Sequence, residues 1–544
     1  MRAGAVCRRE TLVPTGAGCR RETLVRTRTV CHRGEVFRLL GLLGALSLAT
    51  DLGAGAPLDE ALRRAVVASR LARGRGCSDA EVSDVLYVSL LQHLGCTAYA
   101  HENGRRWGDD TAFVRATFHT DFADRGDIWR TWVSGLSASS GRSRPGVLLT
   151  ALGPGRQDAT RGPAATCEVT RQAAGRLGLA PPVQAALPLV LTAWDGSGVP
   201  DSAGEQIPYA VRLTQVASTA VLLEAEEGRA AVVPALRARA GHALDPVLVE
   251  ALAERVDELM DLEGDPFDLV LDAEPDPVRL VDPAATLEVA RTFGDLADLK
   301  SPWFHGHSTA VAELAAGAAT LLGLPEDEVG VVRIAGHLHD LGRVGIPSGL
   351  WDKGGALSRT EAEQAQLHPH LSERILSRVP ALRAAARLVG EHHERLDGSG
   401  YVRGLAGGQL SVASRVLATA DAYRELVEDR AVGRGVSPAT AADRLRAAAR
   451  DGTLDGAAVE AVLRAAGHAA GSRASRPAGL TARQAEVLRL VAAGLSNRQI
   501  ARRLGISPRT AEHHVQDIYL KIGCSTRAGA ALYAMEHGLL DKDG

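Results

Sequence analysis

Apolar residues from Val36 to about Asp265 recur at the three- and four-residue spacing of helices with one buried face. A further helix-like apolar run ends at His339-Asp340, and another, RVLATADAY, closes around Asp421. Near the C-terminus, Val487, Leu488 and Val491 share one helical face, and Ile500, Ala501 and Leu504 share a second. Thr481 and Ser496 stand where helices would be capped. Gly505 ends one helix, and Ser507-Pro508 opens the next. The pattern predicts an all-α chain. Its most apolar run, LLGLLGALSLA (Leu39 to Ala49), is too short to span a membrane.

Two stretches break the pattern and set boundaries. Gly264 to Pro283 holds four prolines and six acidic residues and reads as a connector with one short extended segment. Gly467 to Gly479 (GHAAGSRASRPAG) has the composition of a flexible linker. Glu102 to Arg156, polar and containing Trp107, Trp129 and Trp132, reads as a lid or helical insert. Residues 1–35 lack an apolar face and repeat CRRETLV. They are expected to be a disordered tail or a misassigned start, with the physiological start near Val36.

Composition narrows this little. A length of 544 residues suits about three domains, and the net charge of −3 selects no partner. Seven cysteines without paired spacing fit a reducing cytoplasm better than a disulfide framework or zinc motif.

Chemistry concentrates between His307 and Asp421. The ordered set His307, His339-Asp340, His368, His392-His393, Asp421 has gaps of 32, 28, 24 and 28 residues. Imidazole and carboxylate are the usual ligands of borderline metals. Two cations together acidify a water and neutralise an attacked phosphate, which phosphodiester hydrolysis requires. Asp340 can bridge two ions. His392 and His393 diverge by about 100° if helical and could serve different metals. Arg343, one turn after His339 on the same expected helical face, could grip a phosphate.

These motifs, with GIP after the dyad and the DGSGY turn, resemble the HD-GYP family of the HD phosphohydrolases over Pro283 to Gly467. The resemblance implies an all-helical module that binds two or three metals, often iron or manganese. It implies cyclic di-GMP as substrate. It assigns the seven residues above as ligands, Asp340 and Arg343 to catalysis, and Arg343, Gly400, Tyr401 and Arg430 to the substrate. Four positions depart from the family pattern: Arg343 for Lys, Val402 for Pro, Trp303 for the Glu of a trinuclear subset, and Arg424 for a second Asp. Trp303 points to two metals rather than three.

The first half resembles the second. VLTAWDGSGVPDSAGEQIPYAVRL is answered by HHERLDGSGYVRGLAGGQLSVASRV, and YVSLLQHLGC by IAGHLHDLGR. Aligned so, Val190 and Leu191 replace His392 and His393, Gln92 and His93 replace the dyad, and Ser218 replaces Asp421. Residues 36–265 are therefore expected to be a degenerate HD-like module without catalytic metal, with His93 a core residue.

The segment from Leu480 closely resembles the LuxR-type DNA-binding domain, a four-helix helix-turn-helix expected over 480–544. That resemblance places the helix from Pro508 to Ile522 in the major groove. Glu512, His513 and Gln516 would face base edges; Arg509, Thr510, His514 and Lys521 complete the DNA-binding set, with Arg509, His514 and Lys521 toward phosphates. Leu480 to Arg527 holds eight basic and three acidic residues, a local charge of about +5. The expectation is a cytoplasmic homodimeric regulator, detached from membranes. It would read a palindromic operator and cleave a nucleotide phosphodiester such as cyclic di-GMP with two divalent transition metals. The alternative is a weakly catalytic nucleotide sensor whose HD modules control DNA binding.

Overall fold

A computed structural model describes residues 37–153, 158–198, 200–468, 480–492 and 495–523, with Ala530, Ala534 and Leu539. The segment 1–35, most of the 468–479 linker and most of the fourth expected DNA-domain helix lie outside the described residues. The described chain is helical, apart from one two-residue ladder pairing Phe37 with Val281 and Arg38 with Leu280, antiparallel.

Leu39–Gly53 explains the most apolar stretch of the sequence. Thirteen of its fifteen residues are buried, as expected of a helix apolar on every side. It packs on Glu60–Gly74 of the first half and on His368–Leu376 and Leu341–Gly345 of the second. One continuous core therefore runs through both halves. No helix among the described residues is long and apolar enough to cross a membrane.

The two halves repeat one succession of helices. Leu39–Gly53, Glu60–Gly74, Asp79–Leu90, Tyr209–Glu227 and Pro246–Ala253 answer Pro283–Asp298, His307–Leu321, Glu326–Leu338, Val412–Val427 and Gly456–Ala465. Local contacts repeat as well. Asp51 Oδ2 accepts from Ala61 N, and Asp298 Oδ2 from Ser308 N, both at 3.0 Å. Arg212 pairs with Asp245 and Arg415 with Asp455, both at 2.9 Å.

The Glu102–Arg156 stretch is helical where described, with a small core of its own around Trp107, Val133, Leu136 and Val147. The Gly264–Pro283 connector departs from expectation: Pro266–Ala273 is a helix that buries Phe267 and Val270, capped by Asp265. The extended pair Leu280–Val281 follows it. The C-terminal helices Ala482–Ala492, Asn497–Leu504 and Pro508–Ile522 enclose a separate core. Ser496 and Gln499 form a reciprocal cap, Gly505 takes φ +63, and Ser507 caps the third helix.

Candidate metal centre

Five places on the chain deliver seven side chains to one buried point. His307 begins the helix His307–Leu321, and His339-Asp340 follow the end of Glu326–Leu338. His368 begins His368–Leu376, His392-His393 follow Arg383–Glu391, and Asp421 lies within Val412–Val427. All seven are buried.

Three imidazoles are oriented by the chain itself. The Nδ1 atoms of His339, His368 and His392 lie 2.8, 2.7 and 2.6 Å from the carbonyls of Gly336, Ala365 and Val389, each three residues back. Donation there places the proton on Nδ1 and turns an Nε2 lone pair inward, the usual second-shell device at metal sites. His307 uses Glu428 instead, with Nδ1 2.8 Å from Oε2.

Asp340 sits at the middle. Its Oδ1 lies 3.2 Å from His368 Nε2 and 3.8 Å from His392 Nε2. Its Oδ2 lies 3.3 Å from His307 Nε2 and 3.0 Å from His339 Nε2. Asp421 Oδ1 is 3.3 Å from His307 Nε2, and its Oδ2 is 3.8 Å from His393 Nδ1. Two donor groups result, His368-His392-His393 and His307-His339-Asp421, with Asp340 between them. His392 and His393, 4.2 Å apart by ring centres, stand together in the first group, although His393 also lies near Asp421 and Glu425, and His392 near His339 and Asp340.

The donors fit cations. Both oxygens of Asp340 and of Asp421, with Nε2 of His307 and His339, are buried without a hydrogen-bond partner, a costly state unless a metal satisfies it. Burial alone would raise the Asp340 carboxyl, but Arg343 and His339 hold it well below the usual carboxylate range. Burial also opposes charge on His339, yet Asp340 and Asp421 raise it to about 9. Burial, then the neighbouring His339 and His368, push His392 down to about 3. Neutral imidazole and ionised carboxylate are the ligating forms, so a cation bound here would displace the second proton of His339.

The surroundings correct one expectation and place the other candidates. Arg343 is not on the helix of His339: that helix ends at Leu338, and Arg343 lies in the tight turn Leu341–Gly345. There Nη1 is 2.8 Å from Asp340 Oδ2, and the guanidinium lies 4.3 Å from the Phe304 ring centre and 5.3 Å from that of Trp351. Gly400 has a packing role, since a Cβ there would come within 2.6 Å of His393 O. Tyr401 stacks on His393 at 4.7 Å. Val402 takes φ +97, which β-branched residues rarely adopt, as the chain turns to donate Arg403 N and Leu405 N to Glu394. Arg430 covers the Phe304 ring at 5.0 Å and meets Glu428 at 3.1 Å. Glu425 and Glu428 were missed in the sequence reading. They lie four and seven residues after Asp421, a spacing that keeps them on its helical face.

The first half answers this site position by position. A Cβ on Gly342 would lie 2.2 Å from His368 O, and one on Gly95 2.4 Å from Thr166 O, so Thr166 stands for His368. Gly198 meets Leu191 O as Gly400 meets His393 O. The matched carboxylates Asp51 and Asp298 put Glu60 at the place of His307.

At the C-terminus, Arg509, Thr510, Glu512, His513 and Gln516 are exposed on Pro508–Ile522, and His514 is half-buried. Thr510 N donates to the cap Ser507, and Lys521 Nζ donates to Gln484 Oε1 at 2.8 Å.

Residues 291–458 match the HD domain family, and residues 478–534 match bacterial regulatory proteins of the luxR family. A 3'3'-cGAMP-specific phosphodiesterase 3 from Vibrio cholerae is 27% identical over 403 residues, 73% of this chain and 88% of that protein. A cyclic di-GMP phosphodiesterase from Thermotoga maritima is 34% identical over 146 residues, 26% of this chain and 39% of that protein. The crystal structure of a cyclic GMP-AMP-specific phosphodiesterase from V. cholerae superposes with a TM-score of 0.55. It is 21% identical and spans 80% of this chain and 98% of that one, a likeness of fold. Residues 291–458 are thus an HD domain of the metal-dependent phosphodiesterase type, and residues 478–534 a LuxR-type DNA-binding domain, on one chain.

Proposed function

We propose that the chain is a cytoplasmic transcriptional regulator whose second half cleaves a cyclic dinucleotide, cyclic di-GMP or 3'3'-cGAMP, with two iron or manganese ions. The observation that carries this reading is Asp340, whose two oxygens each face a separate set of imidazole nitrogens. His368, His392 and His393 would hold one ion, His307, His339 and Asp421 the other, with Asp340 between. When bound, such a pair supplies an activated water and neutralises phosphoryl oxygens.

The chain supplies the rest. Arg343, held by Asp340 and stacked between Phe304 and Trp351, presents fixed positive charge beside the centre. Arg430 adds a second guanidinium on Phe304. Burial raises the Tyr401 phenol, so it stays a neutral hydrogen-bond donor next to His393. The LuxR-type domain would read a palindromic operator as a homodimer, and the first half would hold no catalytic metal.

Purified protein reconstituted with iron or manganese should hydrolyse at least one of the two dinucleotides. Asp340→Ala should abolish turnover and lower bound metal, whereas Arg343→Ala should retain metal and lose turnover. Failure of wild type to bind metal, or unimpaired hydrolysis by Asp340→Ala, would refute the reading.

A further inference from the structure

In the first half, the places of the ligands are taken by Glu60, Gln92, His93, Thr166, Val190, Leu191 and Ser218. What charge remains there compensates itself. Arg64, fully buried, donates Nε to Ser89 O at 2.9 Å and Nη1 to Glu60. His93 lies 3.4 Å from Asp51 and 4.0 Å from Glu60. The guanidinium balances Glu60, and burial raises Asp51 to about 7, toward its neutral form. The centre therefore calls for no cation, even though Asp51, Glu60 and His93 are close enough to ligate one.

Over this centre opens a cavity of about 570 Å³, within the size range of small-molecule sites. Five of the replacing residues line it: Gln92, Thr166, Val190, Leu191 and Ser218. Aromatic rings of the insert close it, including Phe113, Phe118 and Trp132. Among the described residues, no Lys, Arg, Asp or Glu lines it. Gln92, at the place of His339, is 4% exposed, and its Oε1 is buried with no hydrogen-bond partner. Such an acceptor costs free energy until something donates to it. The described lining of the adjoining cavity is rich in carboxylates, with Asp121, Asp127, Asp195, Glu226 and Glu227 beside Arg239, His119 and His242.

We propose that the first half binds an uncharged, largely aromatic small molecule in this cavity, stacked on Phe113, Phe118 and Trp132 and donating a hydrogen bond to Gln92 Oε1. A cyclic dinucleotide does not fit that chemistry: its two phosphates need cations, and the described residues of the walls offer none while the adjoining cavity is rich in carboxylates. The loss of the metal ligands has thus exchanged a phosphate-handling site for an apolar one.

The test uses the full-length protein and N-phenyl-1-naphthylamine, an uncharged probe of three aromatic rings with one N–H that fluoresces on leaving water. Saturable binding of one probe per chain is expected, undisturbed by cyclic di-GMP or 3'3'-cGAMP. Thr219→Trp, which fills the cavity from the helix Tyr209–Glu227, should weaken binding by about tenfold or more. Gln92→Leu, which keeps the shape and removes the acceptor, should weaken it about fivefold. Unchanged melting temperature of Gln92→Leu keeps the comparison valid if Thr219→Trp proves unstable. Absence of saturable binding, displacement by either dinucleotide, or unaltered affinity in Gln92→Leu would overturn the proposal.

Discussion

Asp51 shows how far one buried residue can govern the response of the protein to pH. Burial raises its carboxyl from 3.8 to about 7, against the opposing pull of Arg64 and the Ala61 N–H. Below pH 3.8 the group is neutral in folded and unfolded chains alike. Between 3.8 and about 7 the unfolded chain releases a proton that the folded chain keeps, so this group's contribution to stability falls as pH rises. Above that window the loss is complete. Asp51→Asn preserves an acceptor for Ala61 N and cannot ionise. Its stability relative to wild type should climb through the window to a plateau of up to roughly 4 kcal/mol. Thermal melts at about pH 4.5, 6 and 8 measure this; a difference independent of pH would count against it. The same residue marks what the sequence concealed. Gln92, His93, Val190 and Leu191 were legible as the counterparts of candidate ligands through DGSG and the LG that follows each dyad. The exchange of His307 for Glu60, with Arg64 as its counter-charge, was not. Nothing in EALRRAVV distinguishes a buried ion pair from an exposed i, i+4 pair on a solvated face.

Helix ends decided which readings of whole elements succeeded. The candidate ligands were visible because their chemistry is dense and their order distinctive. Arg343 was misplaced because helical periodicity was extended past Leu338, where the chain turns instead. The connector helix Pro266–Ala273 was hidden under its prolines, though Pro266 at the first turn and Phe267 and Val270 at i, i+3 were signals for it. The link between the halves was also invisible. Asp110, which heads the helix Asp110–His119 of the insert, accepts from Lys300 Nζ at 2.6 Å and from Ser348 N at 2.7 Å. Lys300 also donates to Val344 O, in the turn that carries Arg343. Both charged groups are buried, so the attraction must offset their desolvation. Lys300→Met strands the Asp110 carboxylate and should destabilise by roughly 3–5 kcal/mol. The double variant Lys300→Met, Asp110→Asn should recover part of that loss. Denaturant midpoints of the full chain decide it. If the double variant is as unstable as the sum of the two single changes, the pair is not coupled and the link is not electrostatic.

For the molecule as a whole, charge separates the two activities. The chain carries a net −3, yet residues 480–527 hold eight basic side chains against three acidic ones. Residues 480–527 therefore offer a cationic surface to phosphate, whereas the two helical halves before them are acidic overall. A homodimer presenting two copies of Pro508–Ile522 should prefer half-sites about one helical turn apart, roughly 34 Å, or a multiple of it. Side chains on that helix should then divide by role. Arg509, exposed in its first turn, is suited to a phosphate, and Arg509→Ala should weaken binding to every duplex and reduce the salt slope by about 1. Gln516, exposed two turns further on, is suited to a base edge. Gln516→Ala should cost about 1–3 kcal/mol on the operator and nothing on scrambled DNA. Lys521 is a poor choice for this comparison, because its contact with Gln484 would make any loss partly one of folding. Operator duplexes selected from a random pool, titrated by mobility shift at several salt concentrations beside scrambled controls, give both readouts. Equal losses for Arg509→Ala and Gln516→Ala on both duplexes, with one common salt slope, would mean that another surface of the domain faces the DNA.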